Sequence, residues 1–336
     1  MKLKILMIGL SFLIMAGSNV AQEPALFPVR SDGRIGYIDR SGQLVIQPQF
    51  MHGWKFSEGL ACVVDRNGKT GFIDSTGKYV IPPQFNSSYG CYDTFHEGFS
   101  GVSIGDKYRD GKLVNEERWG YVDRAGKFTV IPDSDLAIDF AEGLAPVRKN
   151  GRMGYIDKSF NDVIPYKFKS AGRFYDGRAR VYLFNGRHYY IDRAGKILFP
   201  EGGEFSEGKA FLKRRGKYGF IDTNGRMIVP FVYQNANHFG DGLGGVKLNG
   251  KWGFVNDKGK LLIPPQFEDV SVFAEGRAAV KIKGRWGFID KTGKVVIPAQ
   301  FDQWTYYFEN GLCAVHVGDK VGYIDLDGNF VWPLSN

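Results

Sequence analysis

Nine basic residues stand at one recurring place in this 336-residue chain: Arg34, Lys69, Arg118, Arg152, Arg187, Lys217, Lys251, Arg285 and Lys320. Cations repeated at a regular interval can hold an anionic polymer by adding many weak contacts. The competing reading is a solvated face offset by nearby carboxylates. A second series consists of Asp39, Asp74, Asp123, Asp157, Asp192, Asp222, Asp290 and Asp325, with Asn256 in the seventh place. Clustered oxygen ligands are what Ca²⁺ requires, but most of these residues precede a glycine by three positions, which an Asx turn explains. The run Asp325-Leu326-Asp327-Gly328-Asn329 comes nearest to a cation loop and is too short for an EF-hand. His52, His96, His188, His238 and His316 lack metal-ligand spacing,. A nucleophile elbow is absent, and Gly71 to Lys78 has the wrong spacing for a P-loop,. Paired acids for glycoside hydrolysis would be singular, whereas these acids recur in every unit. The expectation is no catalytic site, no metal and no cofactor.

The places where the pattern breaks point elsewhere. One connection expands through Tyr89, Cys91 and Tyr92, and a hairpin expands from Gly105 to Arg118 around Tyr108 and Arg109. Near the C-terminus Trp304, Tyr306 and Tyr307 cluster. Insertions in repeat arrays often lie on the binding face, so these aromatics are candidate ligand or partner contacts, together with Lys217, Lys251 and Arg285. They could equally cap the array.

The elements that position these residues are repeats. An aromatic–(Ile/Val)–Asp marker runs from Tyr37-Ile38-Asp39 to Tyr323-Ile324-Asp325, and successive Asp positions are 35, 49, 34, 35, 30, 34, 34 and 35 residues apart. Each unit reads as three strands. In the seventh, Gly245 to Leu248 is a strand, Asn249-Gly250 is a hairpin turn that needs φ > 0 twice, and Lys251 to Asn256 is the next strand. Asn256 to Gly259 turns again, Leu261 to Ile263 is the third strand, and a loop with Phe273-Ala274-Glu275-Gly276 returns the chain. Alternation puts Trp252, Phe254 and Asn256 on one face and Lys251, Gly253 and Val255 on the other. A mid-strand glycine at Gly253 implies either a close neighbour or a β-bulge. In the fourth unit Phe160 takes the place of the turn glycine, and Asn161 is expected to supply the left-handed residue.

Lys251-Trp252-Gly253-Phe254 and Arg285-Trp286-Gly287-Phe288-Ile289-Asp290, followed by Ile297-Pro298, resemble the WG (KWG) repeats of bacterial proteins. There is a weaker similarity to the aromatic hairpin repeats of cell-wall-binding proteins. Only Trp119, Trp252 and Trp286 hold the Trp position. The resemblance implies a repeat scaffold, often exported. The fold expected is all-β, with nine units stacked as a solenoid or closed as a propeller-like ring. The chain begins with a first strand and ends with a third, so no strand exchange closes a ring, which favours the open stack.

Lys2 and Lys4, an apolar run from Ile5 to Met15 and the small residues Ala16, Gly17, Ser18 and Ala21 read as a signal peptide over 1–21,. Residues 22–336 are then a single repeat domain without a membrane span. Cleavage removes two lysines and no acid, lowering the formal charge from +8 to +6, which is not a nucleic-acid signature. Of the three cysteines, Cys62 and Cys313 fall in strands and read as packing, and a Cys62–Cys91 disulfide is possible in an oxidising compartment,. The function expected is an exported, non-catalytic protein, periplasmic or secreted, that binds envelope polymer, glycan or protein. The alternative is an adaptor scaffold without a small ligand.

Overall fold

The computed structural model describes residues 25–86, 95–105, 108–109, 112–113, 117–200, 202–303 and 307–335. The predicted leader, Tyr89, Cys91, Tyr92, Trp304 and Tyr306 lie outside the described residues. Every described regular element is a strand. Alternating sequence and Asn-Gly and Asp-x-x-Gly turns leave no helical period to follow, and the prolines lie inside strands, as Pro264 and Pro265 do in Leu261–Phe267.

The strands form nine small antiparallel sheets and one separate hairpin, Tyr108–Arg109 with Lys112–Leu113. We number the sheets as blades 1 to 9 along the chain. Blade 7 shows the full pattern: Asn235–Gly240, Leu243–Leu248, Lys251–Asn256 and Leu261–Phe267, each paired with the next. Five blades have four strands rather than the expected three, because the return loop forms a strand of its own. Blade 1 consists of Phe27–Ser31, Arg34–Ile38 and Leu44–Phe50, and it has no first strand among the described residues. Its first described strand matches the second strand of other blades.

Packing between blades follows the face assignment. The aromatic position is fully buried in blades 1 to 8, from Tyr37 to Phe288, and the Ile or Val beside it is fully buried in all nine. The ring of one blade meets the Ile or Val of the next, as Phe254 meets Ile289 and Phe288 meets Ile324. Each such ring also packs against a phenylalanine from the next blade's first hairpin, with centroids 4.8–5.2 Å apart in eight interfaces. Tyrosines in this position donate to a backbone carbonyl of the next blade, as Tyr155 does to Gly172 at 2.8 Å.

The array closes. Blade 9 meets blade 1 through Phe27, Val29, Ile38 and Leu312, flanked by Tyr323, Val331 and Trp332. Tyr323 donates to the Pro28 carbonyl at 3.0 Å, as its counterparts do elsewhere, and Ser335 donates to the Arg30 carbonyl at 3.2 Å. The Asp-turn glycine Gly42 lies on Val331 as Gly77 lies on Ile46 and Gly293 on Ile263. The protein is therefore a nine-bladed β-propeller, and the open stack that the chain ends favoured is corrected to the ring. Strand exchange is not required, because the tyrosine hydrogen bond and the packing on a buried isoleucine that join other blades recur at the seam.

Two further expectations are resolved. The glycine before the aromatic position serves both purposes proposed for it. In blades 1, 2, 4, 6, 7 and 8 the opposite strand bulges, spanning four residues against two, as Trp252↔Phe267 and Phe254↔Ile263 show. The bulge carries a carbonyl over the glycine, where a Cβ would overlap it. In blade 5 the span is three residues, and there Tyr189 replaces the glycine. In blade 4 it is Phe160, not Asn161, that takes the left-handed conformation, at φ 65°. A bulky residue is strained there, and its ring stacks on Tyr121 and meets Phe99 and Phe140 of blade 3.

Candidate binding site

Antiparallel order gives the ring two unlike ends. The first hairpin turn and the Asp turn share one end. The Asn-Gly type of turn and the basic position share the other.

At the first end, the two-residue turns place an acid and then a glycine at positive φ: Glu58-Gly59, Glu97-Gly98, Glu142-Gly143, Asp176-Gly177, Glu207-Gly208, Asp241-Gly242 and Glu275-Gly276. Each of these acids accepts the glycine N–H of the following blade at 2.6–3.1 Å. The sequence shows the Phe-x-acid-Gly signal plainly, but its role as a clamp from blade to blade is not legible without the ring. Turns of blades 3 to 6 converge on one cavity of about 490 Å³ lined by Glu97, Glu142, Asp176 and Glu207 among others. First hairpins therefore surround the axis. Farther out, each side chain of the Asp series accepts the N–H groups two and four residues on, as Asp290 does from Thr292 and Lys294 at 2.9 and 3.1 Å. A hydroxyl from Ser41, Thr76 or Thr292 holds the carboxyls of Asp39, Asp74 and Asp290 below the usual range. Among the described residues no group of acids, histidines and cysteines is arranged to hold a metal.

The opposite end carries the basic series. Arg118, Arg152, Arg187, Lys217, Lys251, Arg285 and Lys320 are exposed, and Arg34 and Lys69 half-buried. Of the three singled out, Arg285 pairs with Asp302 at 3.0 Å. Lys217 and Lys251 make no ion pair with the described residues. The sixth blade adds what the repeat comparison passed over, the turn Lys213-Arg214-Arg215-Gly216-Lys217, exposed throughout. Arg214 lies over the Phe231 ring at 4.8 Å and Lys213 near Tyr218 at 5.4 Å, which holds both cations on an aromatic support. Lys247 and Lys281 of the next two blades lie at the same end.

The aromatic candidates divide. Trp119, Trp252 and Trp286 are buried between strands, as structural positions should be. Tyr108 lies in the extra hairpin. Tyr307 is exposed, has Lys55 5.8 Å from its ring centroid, and lines a cavity of about 310 Å³ at the seam with Phe27, Pro28, Lys55, Glu309 and Tyr323. Cys313 is buried, as expected. Cys62, read as packing with a disulfide as the alternative, is buried and disulfide-bonded.

A family model described as WG containing repeat matches residues 35–69, 71–108, 119–152, 153–186, 218–252, 252–286 and 286–320, well over half of the chain. The chain belongs to the WG-containing repeat family. The fifth blade of this WG-repeat ring is not matched as a unit of its own, in keeping with its Tyr189 and shortened outer strand. No curated protein matches the chain. Among solved structures, a crystal structure titled as the eukaryotic initiation factor covers 94% of this chain and 97% of its own at 11% identity and a TM-score of 0.58. That likeness concerns the fold alone. The computationally designed Ika8 protein matches at 11% identity, covering 92% of this chain and 96% of its own, with a TM-score of 0.40. BamB from Moraxella catarrhalis matches at 12%, covering 91% and 89%, with a TM-score of 0.38. These two scores are too low to support the WG-repeat ring's fold. No helix among the described residues is long and apolar enough to cross a membrane.

Proposed function

We propose that this protein is an exported, non-catalytic binding protein whose basic end engages an anionic polymer of the cell envelope, such as an acidic glycan. The observation that carries this reading is the exposed run Lys213, Arg214, Arg215 and Lys217, continued by Lys251 in the next blade and Arg285 in the one after. The competing reading of the basic series required neighbouring carboxylates, and among the described residues they are found only at Arg285 of these six. The non-catalytic part rests on the acids: the recurrent ones are engaged in Asx turns and blade clamps. A polymer would touch several blades at once, so that affinity arises from linked weak contacts.

Replacing Lys217, Lys251 and Arg285 together by Gln should weaken binding to an acidic polysaccharide at least tenfold while the melting temperature barely moves, because exposed ion pairs contribute only about 0–1 kcal/mol each. Binding by the parent should fall steeply as salt rises past physiological strength, where the screening length is about 8 Å. A parent protein that binds no anionic polymer at low salt would rule out this reading in favour of a scaffold. Export is checked separately. The mature chain should begin between Asn19 and Glu23, and an intact Met1 on the purified soluble protein would refute cleavage.

A further inference from the structure

We propose that Phe184 is a stacking platform for one sugar ring of the polymer held at the basic end, and that Arg152 takes the carboxylate of that sugar. The ligand class is then a glycan built from uronic acids. This inference rests on the reading of the basic end as a polymer-binding face and adds where a single unit of the polymer sits. Phe184 is 57% exposed, more than any other large apolar side chain among the described residues. It stands in the turn between Arg178–Tyr182 and His188–Ile191 of blade 5, at the end of the ring that carries the basic series.

Lone exposed apolar side chains are ordinary, so the argument turns on how blade 5 differs from its neighbours. Tyr182 pairs with His188 where Arg148, Lys213, Lys247 and Lys281 pair with the corresponding residues of blades 4, 6, 7 and 8. The rings of Tyr182 and His188 lie 4.0 Å apart. The turn is also longer. Residues 183–187 lie between Tyr182 and His188, whereas 149–152 and 214–217 lie between the equivalent pairs of blades 4 and 6. Phe184 belongs to this extended turn, and insertions in repeat arrays often map to the binding face. Aromatic side chains therefore interrupt a track of cations, with Arg152 on one side and Lys213 to Lys217 on the other.

The turn is held firmly. Gly186 N–H donates to the Leu183 carbonyl at 3.0 Å and Leu183 N–H to the Arg187 carbonyl at 2.8 Å. Arg187 N–H donates to the Asn185 side chain at 3.0 Å. The Arg152 guanidinium, from blade 4, lies 5.2 Å from the Phe184 ring centroid, so the subsite spans two blades. The C–H face of a pyranose lies flat on an aromatic ring, whose π face is negative. A carboxylate on that sugar meets a planar guanidinium that can hold both of its oxygens. Polyphosphate offers charge but no such face. A single-stranded nucleic acid stacks successive bases on successive aromatics, and in blade 6 the rings of Phe231 and Tyr218 already carry Arg214 and Lys213. A membrane surface calls for a broad apolar face, which one ring among cations does not make.

The test titrates the purified protein with polygalacturonate and, separately, with polyphosphate at the same low salt. Phe184→Ala should weaken polygalacturonate binding at least about fivefold, the lower end of what one aromatic stack contributes, and leave polyphosphate binding unchanged. Phe184→Trp should retain the parent's affinity. Arg152→Lys keeps the charge and loses the planar fork, so it too should weaken polygalacturonate and spare polyphosphate. All three variants should keep the parent's melting temperature, because both side chains are exposed,. Polygalacturonate binding indifferent to Phe184→Ala, or equal losses on both polymers, overturns the sugar platform and leaves the basic end as a track of charge alone. Phe184-dependent binding of phosphatidylglycerol vesicles or of a single-stranded oligonucleotide, with none of polygalacturonate, overturns it in favour of a membrane or a base. A parent that binds neither polymer removes the basic-end reading itself, and this proposal with it.

Discussion

At the scale of single residues, what the ring demands most sharply is the absence of a side chain at the glycine that precedes the aromatic in eight of the nine blades. Gly253 is not among the glycines at positive φ, so its requirement is steric: a Cβ would overlap the Ile263 carbonyl and come within 2.8 Å of the Pro264 carbonyl carbon. Gly253→Ala is expected to cost about 1–3 kcal/mol, the range for overpacking a filled site. Chemical denaturation should show a lower midpoint with an unchanged slope. Gly250 faces open space, so Gly250→Ala tests backbone strain alone. A smaller loss at Gly253 than at Gly250 would show that the bulge yields. The sequence displayed this glycine in eight copies and could not say why, since the bulge that needs it lies on another strand. The turn hydrogen bonds of the Asp series were legible because an Asx turn is local, complete within five residues. Phe160 was misjudged for the converse reason: what stabilises its unusual backbone is a cluster of rings contributed by the neighbouring blade.

Among elements, the first hairpin matters most for assembly. Its strand was hidden in the sequence as a return loop, because it is short and its apolar residues do not alternate cleanly. Its turn, by contrast, had a visible signature. The acid in that turn donates nothing and accepts from the next blade, so each hairpin is fastened by the one before it. Glu275→Ala removes the acceptor for Gly311 N–H. A single hydrogen bond of this kind contributes about 0.5–1.5 kcal/mol, more when one partner is charged. The expected outcome is a modest drop in melting temperature together with faster amide exchange at Gly311. Loss of protection spread evenly over all blades would mean that the clamp acts on the whole ring and not locally.

For the molecule as a whole, the basic end and the acid-lined axis are consequences of repetition: whatever one blade presents at a turn, the others present nearly again. Composition and charge gave no hint of this separation, because a formal charge of +8 is silent on where the charges lie. The ring was legible as one of two arrangements, but the choice between them was not, since the seam depends on angles between blades that no local pattern encodes. The closed ring also implies a certain indifference to where the chain starts. Ser335 donates to the Arg30 carbonyl at 3.2 Å, so the first and last described strands end side by side, and the interface between them shares the tyrosine-to-carbonyl hydrogen bond of the others. Termini that lie close together tolerate circular permutation. A permuted gene joining Ser335 to Leu26 through a short linker and opening at Asn249-Gly250, an exposed turn, should yield a protein with the parent's circular dichroism and a cooperative melt. If it does, the succession of blades in the gene is one of nine equivalent reading orders of a circle, and the present one reflects descent, not folding necessity.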